Sequence, residues 1–387
     1  MRKPHLVIAL PSIAGRSIGS YALRRAKLLA EFYDVSVISD SFPDTLPVDV
    51  RCMQITPRNF NYLRRFCHVP NELAFAYAVR CELKRLQVRK SIDFVLFHGY
   101  TLTRFAGRYL YRLYDVRYGM FMHGHIFTRP RGTYDWRLTA FYRWMAPACY
   151  KEAHLVFALS PDQKKLAIKA GATAHQVILA PNGIENGDIG ICGESIDMAG
   201  KIGGEPNRIR ILYVGRFSAE KGVETLIAAC GLLAKWKVGY SLTLVGGGAR
   251  SKELADLAER TGIADRVEFV SSVPREQLGA FYRATDILCV PSLDEPFGNV
   301  VLEGLISGCL VVGSELGGIR FIISDGIDGY LVPASKPRKW AEKLKFISEN
   351  KGGLDALREN GREMVGRRFN WENIILDMHK SISRTLA

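Results

Sequence analysis

The stretch Asp286-Ile-Leu-Cys-Val-Pro-Ser-Leu-Asp-Glu-Pro-Phe-Gly-Asn-Val-Val-Leu-Glu-Gly304 limits what this chain can fold into more than any other. The apolar residues after Asp286 read as a short strand, Pro291–Gly298 as a turn, and the segment from Asn299 as a helix. Glu295 falls in the turn and Glu303 roughly one turn into the helix, with seven residues between them. Free backbone N–H groups at the helix start, beside a glycine, favour a phosphate. The two carboxylates accept hydrogen bonds from sugar hydroxyls, so the pattern suits a phosphorylated polyol. Taken alone, Glu-x7-Glu also fits two capping acids of an ordinary strand–turn–helix unit.

The same order of elements recurs along the chain. His5–Leu10 is a buried-strand run ending at Pro11, followed by Gly15 and Gly19, the apolar-periodic segment Ala22–Phe32 and the strand Val35–Ser39. Strand, glycine loop, helix and strand make a βαβ opening, and a parallel sheet follows from it. Glycines in that first loop let the backbone approach a ligand at the C-terminal edge of the sheet. Ser91–His98 and Tyr118–His123 are apolar strands ending in histidine, where open α/β sheets bind ligands. A chain of 387 residues suits two domains. Residues 1–185 read as the first, closing on Pro181-Asn182-Gly183. Residues 186–207, rich in Gly, Glu and Asp, read as a linker, 208–368 as the second domain, and 369–387 as a helix crossing back to the first.

Arg208–Gly215 is the first strand of the second domain, and its loop carries Arg216 and Lys221 five apart. Both can converge on one pocket, Arg as a bidentate fork and Lys as a point charge, as a diphosphate needs when no metal neutralises it. Cations at a helix start oppose its dipole, which argues that they serve a ligand. The strand Tyr240–Val245 leads into Gly246-Gly247-Gly248, another place for close backbone approach.

The formal charge of +14 is unevenly spread: residues 1–190 hold 27 Lys and Arg against 14 Asp and Glu, and the remainder 26 against 25. A basic first half points to an anionic partner, such as a lipid headgroup, a membrane surface or nucleic acid. Arg104, Arg108 and Arg112 recur every fourth residue, which would place them on one face of a helix beside Tyr and Leu neighbours. The segment Arg129–Trp144, with aromatics among arginines, reads as a second membrane-facing or acceptor-facing element. Eight scattered cysteines without Cys-x-x-Cys indicate reduced thiols in a cytosolic protein. No Asp-x-Asp occurs, and no metal is expected. No run of 18 apolar residues exists to span a bilayer.

Pro291-Ser292, Glu295-Pro-Phe-Gly298, Gly215-Arg-Phe-x-x-x-Lys-Gly222 and Ser307-Gly-Cys-Leu-Val-Val312 together resemble the retaining glycosyltransferases of family 4, here of the bacterial surface-polysaccharide type. The resemblance implies a GT-B architecture, two doubly wound Rossmann-like α/β domains with an interdomain cleft. It implies hexose transfer, with retention, from a nucleoside diphosphate sugar, UDP being the first expectation. The acceptor would be a hydroxyl on a lipid-linked or anionic saccharide, with no cofactor beyond the donor. In the family's terms Arg216 and Lys221 stabilise the departing diphosphate, Glu303 binds ribose and Glu295 the donor sugar. Gly246, Gly247, Val270, Phe297, Gly298, Asn299 and Val300 complete the donor site, Val270 beside the base. His123 meets the donor sugar or acceptor hydroxyl, with Gly15, Gly19 and His98 on the acceptor side. The sequence departs from the family at Ser17-Ile18-Gly19, where adjacent glycines are usual, at Leu310 for proline and at Phe321 for glutamate. A cytoplasmic protein, peripheral on the inner face of the cytoplasmic membrane, is expected. A nucleotide-sugar epimerase of the same architecture and a basic nucleic-acid-binding protein are the other readings.

Overall fold

The computed structural model describes residues 2–11, 17–43, 46–56, 69–124, 136–185 and 208–387. Gly15, the expected linker at 186–207 and residues 129–135 of the aromatic–arginine segment lie outside the described residues. The apolar runs of the sequence become strands, and each strand pairs in parallel with its neighbours. Residues Met1–Asn182 with Glu372–Ala387 form one compact unit and Gly183–Trp371 a second.

In the first unit the strands are β1 (His5–Ala9), β2 (Asp34–Ser39), β3 (Arg51–Gln54), β4 (Phe94–His98), β5 (Arg117–Phe121), β6 (Leu155–Ala158) and β7 (Val177–Leu179). They stand in the order β3-β2-β1-β4-β5-β6-β7. Because β1 and β4 are buried on both faces, they read as unbroken apolar runs rather than as alternating ones. The helix Ser17–Leu29 joins β1 to β2. The helices Val69–Arg89, Arg108–Tyr114 and Trp136–Glu152 lie on the crossovers β3→β4, β4→β5 and β5→β6. Those three crossovers step the same way across the sheet, so right-handed connection puts their helices on one face. A single core follows, in which Val79 and Leu83, Leu110, and Met145 and Tyr150 pack over Val95, Phe97 and Tyr118.

The second unit contains β8 (Ile209–Val214), β9 (Tyr240–Val245), β10 (Val267–Val270), β11 (Ile287–Val290), β12 (Leu310–Ser314) and β13 (Tyr330–Val332), ordered β10-β9-β8-β11-β12-β13. In each unit the order reverses between the first strand and the fourth. The carboxyl ends of β1 and β4, and of β8 and β11, are therefore the places where such sheets receive ligands. Asp286 ties β11 to β8 by accepting from the Arg210 backbone N–H and guanidinium, each at 2.8 Å.

Two expectations need correction here. Gly19 is not in a loop: the helix already runs from Ser17, and Gly19 is buried within its first turn. Nor do Arg104, Arg108 and Arg112 share one exposed face. A π-helical turn, Thr103–Gly107, precedes the α-helix and breaks the 3.6-residue phase on which that expectation rested. Arg104 and Arg108 instead clamp Glu152 at 2.6 and 2.7 Å, and only Arg112 is left exposed.

Candidate functional site

At the switch point of the second sheet, the loop after β8 and the loop after β11 meet. The first contains a 3-10 turn, Ala219–Lys221, then Gly222 in the left-handed region at φ 60°, which starts the helix Val223–Lys235. Gly222 is needed there, since a side chain would run into the Pro291 carbonyl of the opposite loop. Leu293 N–H donates to the Glu220 carbonyl at 2.8 Å, lacing the two loops together. Across that seam Lys221 Nζ lies 2.7 Å from Glu295 Oε2, which also accepts from Ser292 Oγ at 3.3 Å. Both side chains are largely buried. Arg216 points outward, 64% exposed, and pairs with Glu220 at 3.2 Å. Burial pushes the Glu220 carboxyl up, but the Ser218 hydroxyl and the neighbouring cations outweigh it and leave the group below its ordinary value.

Glu303 is the more enclosed of the two glutamates. It sits on the helix Asn299–Ile306, which begins after Gly298 at φ 104°, a backbone that L side chains rarely adopt. Its Oε2 accepts from the Tyr282 hydroxyl at 2.8 Å and its Oε1 from Arg275 Nη2 at 3.1 Å. These contacts fix the carboxylate's plane. Neither Tyr282 nor Arg275 was singled out from the sequence. They lie seven apart on the helix Arg275–Arg283, hence on one face, and that spacing was the available signal.

The other expected donor residues divide by what the backbone does. A side chain at Gly246, φ 145°, would strike the Gly215 carbonyl, so this glycine is demanded by packing alone. Gly247 has open space around it, and its carbonyl accepts from Phe217 N–H at 2.9 Å. Val270 closes β10, where its carbonyl accepts from Gly246 N–H at 2.9 Å. Phe297 does not offer its ring to a ligand: the ring is buried and meets Phe369 edge-on at 5.8 Å. Asn299 and Val300 are half-buried in the first helical turn, where amides lack intrahelical acceptors. Gly317-Gly318 let the Glu295–Phe297 turn pack closely, and Gly318 N–H donates to the Glu295 carbonyl at 2.9 Å. Phe321, the departure from glutamate, is held by the Phe369 ring and by Arg368, which donates to its carbonyl at 2.9 Å.

The first unit has a cluster of a different kind. His98, at the end of β4, and His123, two residues after β5, are brought together: Nδ1 of one lies 2.6 Å from Nε2 of the other, with the rings stacked at 4.7 Å. Burial is the main cause of the depressed pKa of each, and the neighbouring cation Arg25 adds to it. His98 is held well below its ordinary value and His123 is pushed down to about 3. Two neutral imidazoles that close share one bridging proton, one ring donating and the other accepting. Arg25, fully buried on the helix Ser17–Leu29, lies 4.1 Å over the Phe121 ring and donates to the Asn182 side-chain carbonyl. Burial lowers its pKa to about 9. Arg25 was missed because nothing in a helical Arg24-Arg25 pair tells which one turns inward.

Among the described residues, no group of three or more His, Cys, Asp or Glu is placed to hold a metal ion, and no helix is long and apolar enough to cross a membrane.

Residues 18–186 match the model of Glycosyltransferase Family 4, and residues 197–364 that of Glycosyl transferases group 1. This chain belongs to glycosyltransferase family 4. It is 30% identical over 207 residues to a D-inositol 3-phosphate glycosyltransferase of Segniliparus rotundus, a match covering 52% of this chain and 45% of the relative. The match thus spans about half the length of that curated relative. Among solved structures, sucrose-phosphate synthase from Thermosynechococcus elongatus superimposes with a TM-score of 0.82 at 24% identity, covering 98% of both chains. Anabaena HepE in complex with UDP and glucose gives 0.74 at 19% identity, covering 98% of this chain and 100% of that one. These likenesses establish the GT-B fold class of the family 4 chain, two Rossmann-like domains, in agreement with the expectation from sequence.

Proposed function

We propose that this family 4 chain transfers a hexose from a nucleoside diphosphate sugar to an acceptor hydroxyl. The observation that carries the reading is the Lys221–Glu295 pair at the β8/β11 switch point, with Glu303 enclosed on the helix that follows. The cation and the first-turn amides suit a diphosphate, and the two carboxylates suit the hydroxyls on either side of it. Donor binding would draw Lys221 from Glu295 toward phosphate, which frees Glu295 to accept from the donor sugar. Arg216, largely exposed and paired with Glu220 of its own loop, can swing onto the same phosphates. As the glycosidic bond breaks, these cations stabilise the charge gathering on the departing diphosphate.

UDP is the nucleotide we propose for the donor, supported by the UDP and glucose held in the HepE structure. We further read the transfer as retaining and metal-independent. The leaving phosphate oxygen would take the acceptor's proton on the face where the new bond forms, and His123 would stand near that hydroxyl as a neutral hydrogen-bonding group. The acceptor we propose is anionic or lipid-linked, used in cell-surface polysaccharide synthesis. The excess of Lys and Arg in the first half supports it, as does a relative named for a phosphorylated polyol.

Thermal unfolding with UDP, GDP, ADP and their sugars tests the donor site. Stabilisation by the uridine series alone is expected, and its loss in Lys221→Ala and Arg216→Ala. No stabilisation by any nucleotide would sink the reading.

A further inference from the structure

We infer that the helical face of the first unit docks on an anionic lipid surface. The helices Val69–Arg89 and Trp136–Glu152 pack against the Thr103–Tyr114 segment and each other on one side of the sheet. Their inner faces make the core, and their outer faces share an unusual composition. Of the exposed residues of Val69–Arg89, Leu73, Tyr77, Lys84 and Val88 form one stripe, at steps of four, seven and four, with Arg85 and Arg89 beside it. On the middle segment, Tyr111, Arg112 and Leu113 stand out to solvent together. On Trp136–Glu152 the outer stripe runs through Trp144, 71% exposed, to Lys151.

Half of the large apolar side chains exposed among the described residues, seven of fourteen, belong to these three segments. The same segments hold ten Lys and Arg against three Asp and Glu. Glu152 is held by Arg104 and Arg108, and Glu82 by Arg85 at 3.2 Å. The face is therefore net basic and studded with aromatic and aliphatic groups. Cations of this kind attract anionic headgroups, while Trp, Tyr and Leu enter the headgroup–acyl boundary and the long basic side chains extend back to phosphate. A nucleic acid would use the cations and stack on aromatics, but it has no use for Leu73, Val88 and Leu113 on the same surface. The inference does not depend on glycosyl transfer, because it concerns a face built from crossover helices and not the strand ends.

Sedimentation of the full-length protein with vesicles tests it. Phosphatidylcholine vesicles containing phosphatidylglycerol are expected to carry the protein down, and pure phosphatidylcholine vesicles are not. Lys84→Glu with Arg112→Glu should weaken binding by roughly a hundredfold or more, with strong salt dependence. Tyr77→Ala with Trp144→Ala should weaken it roughly tenfold at unchanged charge. All four residues are at the surface, and unchanged thermal unfolding of each variant shows that the fold is intact. Equal binding by wild type and both double variants, or no sedimentation at low salt, overturns the proposal. Displacement by single-stranded RNA that the Tyr77/Trp144 variant does not weaken would assign the face to nucleic acid. A concentration-dependent dimer abolished by the variants would assign it to self-association.

Discussion

The two units solve the same topological problem with opposite chemistry. At its switch point the second unit gathers ionised groups, and each of its two carboxylates is met by a cation and a hydroxyl. The first unit instead gathers aromatic and imidazole rings, and its two histidines are kept neutral by burial. A site that must hold a polyanion needs fixed charge at the strand ends. One that meets an uncharged hydroxyl works better with neutral, dry hydrogen-bonding groups.

The largest expected effect sharpens that contrast. On the proposed mechanism, in which Lys221 stabilises the leaving group's charge, Lys221→Ala should lower kcat/KM for sugar transfer by about two to three orders of magnitude. His123→Ala, losing a neutral hydrogen bond, should cost only about tenfold. Equal losses in steady-state assays would mean that the two units do not divide the work as their chemistry suggests.

Stability gives the next test. Glu303→Ala leaves Arg275 and Tyr282 facing a void, and chemical denaturation should show a loss of about 2–3 kcal/mol. Tyr282→Phe, which keeps the ion pair, should lose about 1 kcal/mol. A null result for Glu303→Ala would show that the network is a surface feature in solution.

The histidine pair predicts a pH dependence of definite sign. Both folded-state values lie below the ordinary value of 6.5, so the unfolded chain binds more protons in the interval between them. Stability from the pair is complete above about pH 6.5 and is lost as pH falls toward about 3, where His123 itself protonates. The slope is at most about 1.4 kcal/mol per pH unit for each histidine. Urea unfolding of the wild type and of His98→Asn/His123→Asn should diverge in that window and run parallel above it. Parallel curves throughout would show that the rings are solvated.

The smallest effect separates two adjacent glycines. Gly247→Ala should leave the unfolding midpoint within about 0.5 kcal/mol of wild type. Gly246→Ala, forced against the Gly215 carbonyl at a positive φ, should cost about 1–3 kcal/mol. If Gly247→Ala nonetheless weakens UDP binding in calorimetry, the open glycine serves the ligand and the crowded one serves the fold.

These contrasts also explain what was legible in the sequence. Strand runs such as Phe94–His98 and the turn at Gly298 announce themselves through local rules, hydrophobic runs and positive φ, and the second unit's charges stand at fixed spacings within single loops. Tyr282 and Arg275 on one helix, and Arg25 on another, were hidden because each reaches its site by an orientation that only tertiary packing decides. Phe297 misled for a related reason. A motif shows that a position matters, yet not whether the ring or the backbone is what counts. The π-helical turn at Thr103–Gly107 had no sequence mark at all, and it shifted every later residue of its segment around the axis.

One feature of the architecture bears on how the molecule is made. The first unit draws its last piece, Glu372–Ala387, from the far end of the chain, where His379 stacks on Phe32 at 4.1 Å and contacts Tyr33. A ribosome delivers the whole of the second unit before that piece emerges. Translation therefore delivers the later-encoded unit while the earlier-encoded one still waits for its closing helix, and His379 cannot cover Phe32 until Glu372–Ala387 has emerged.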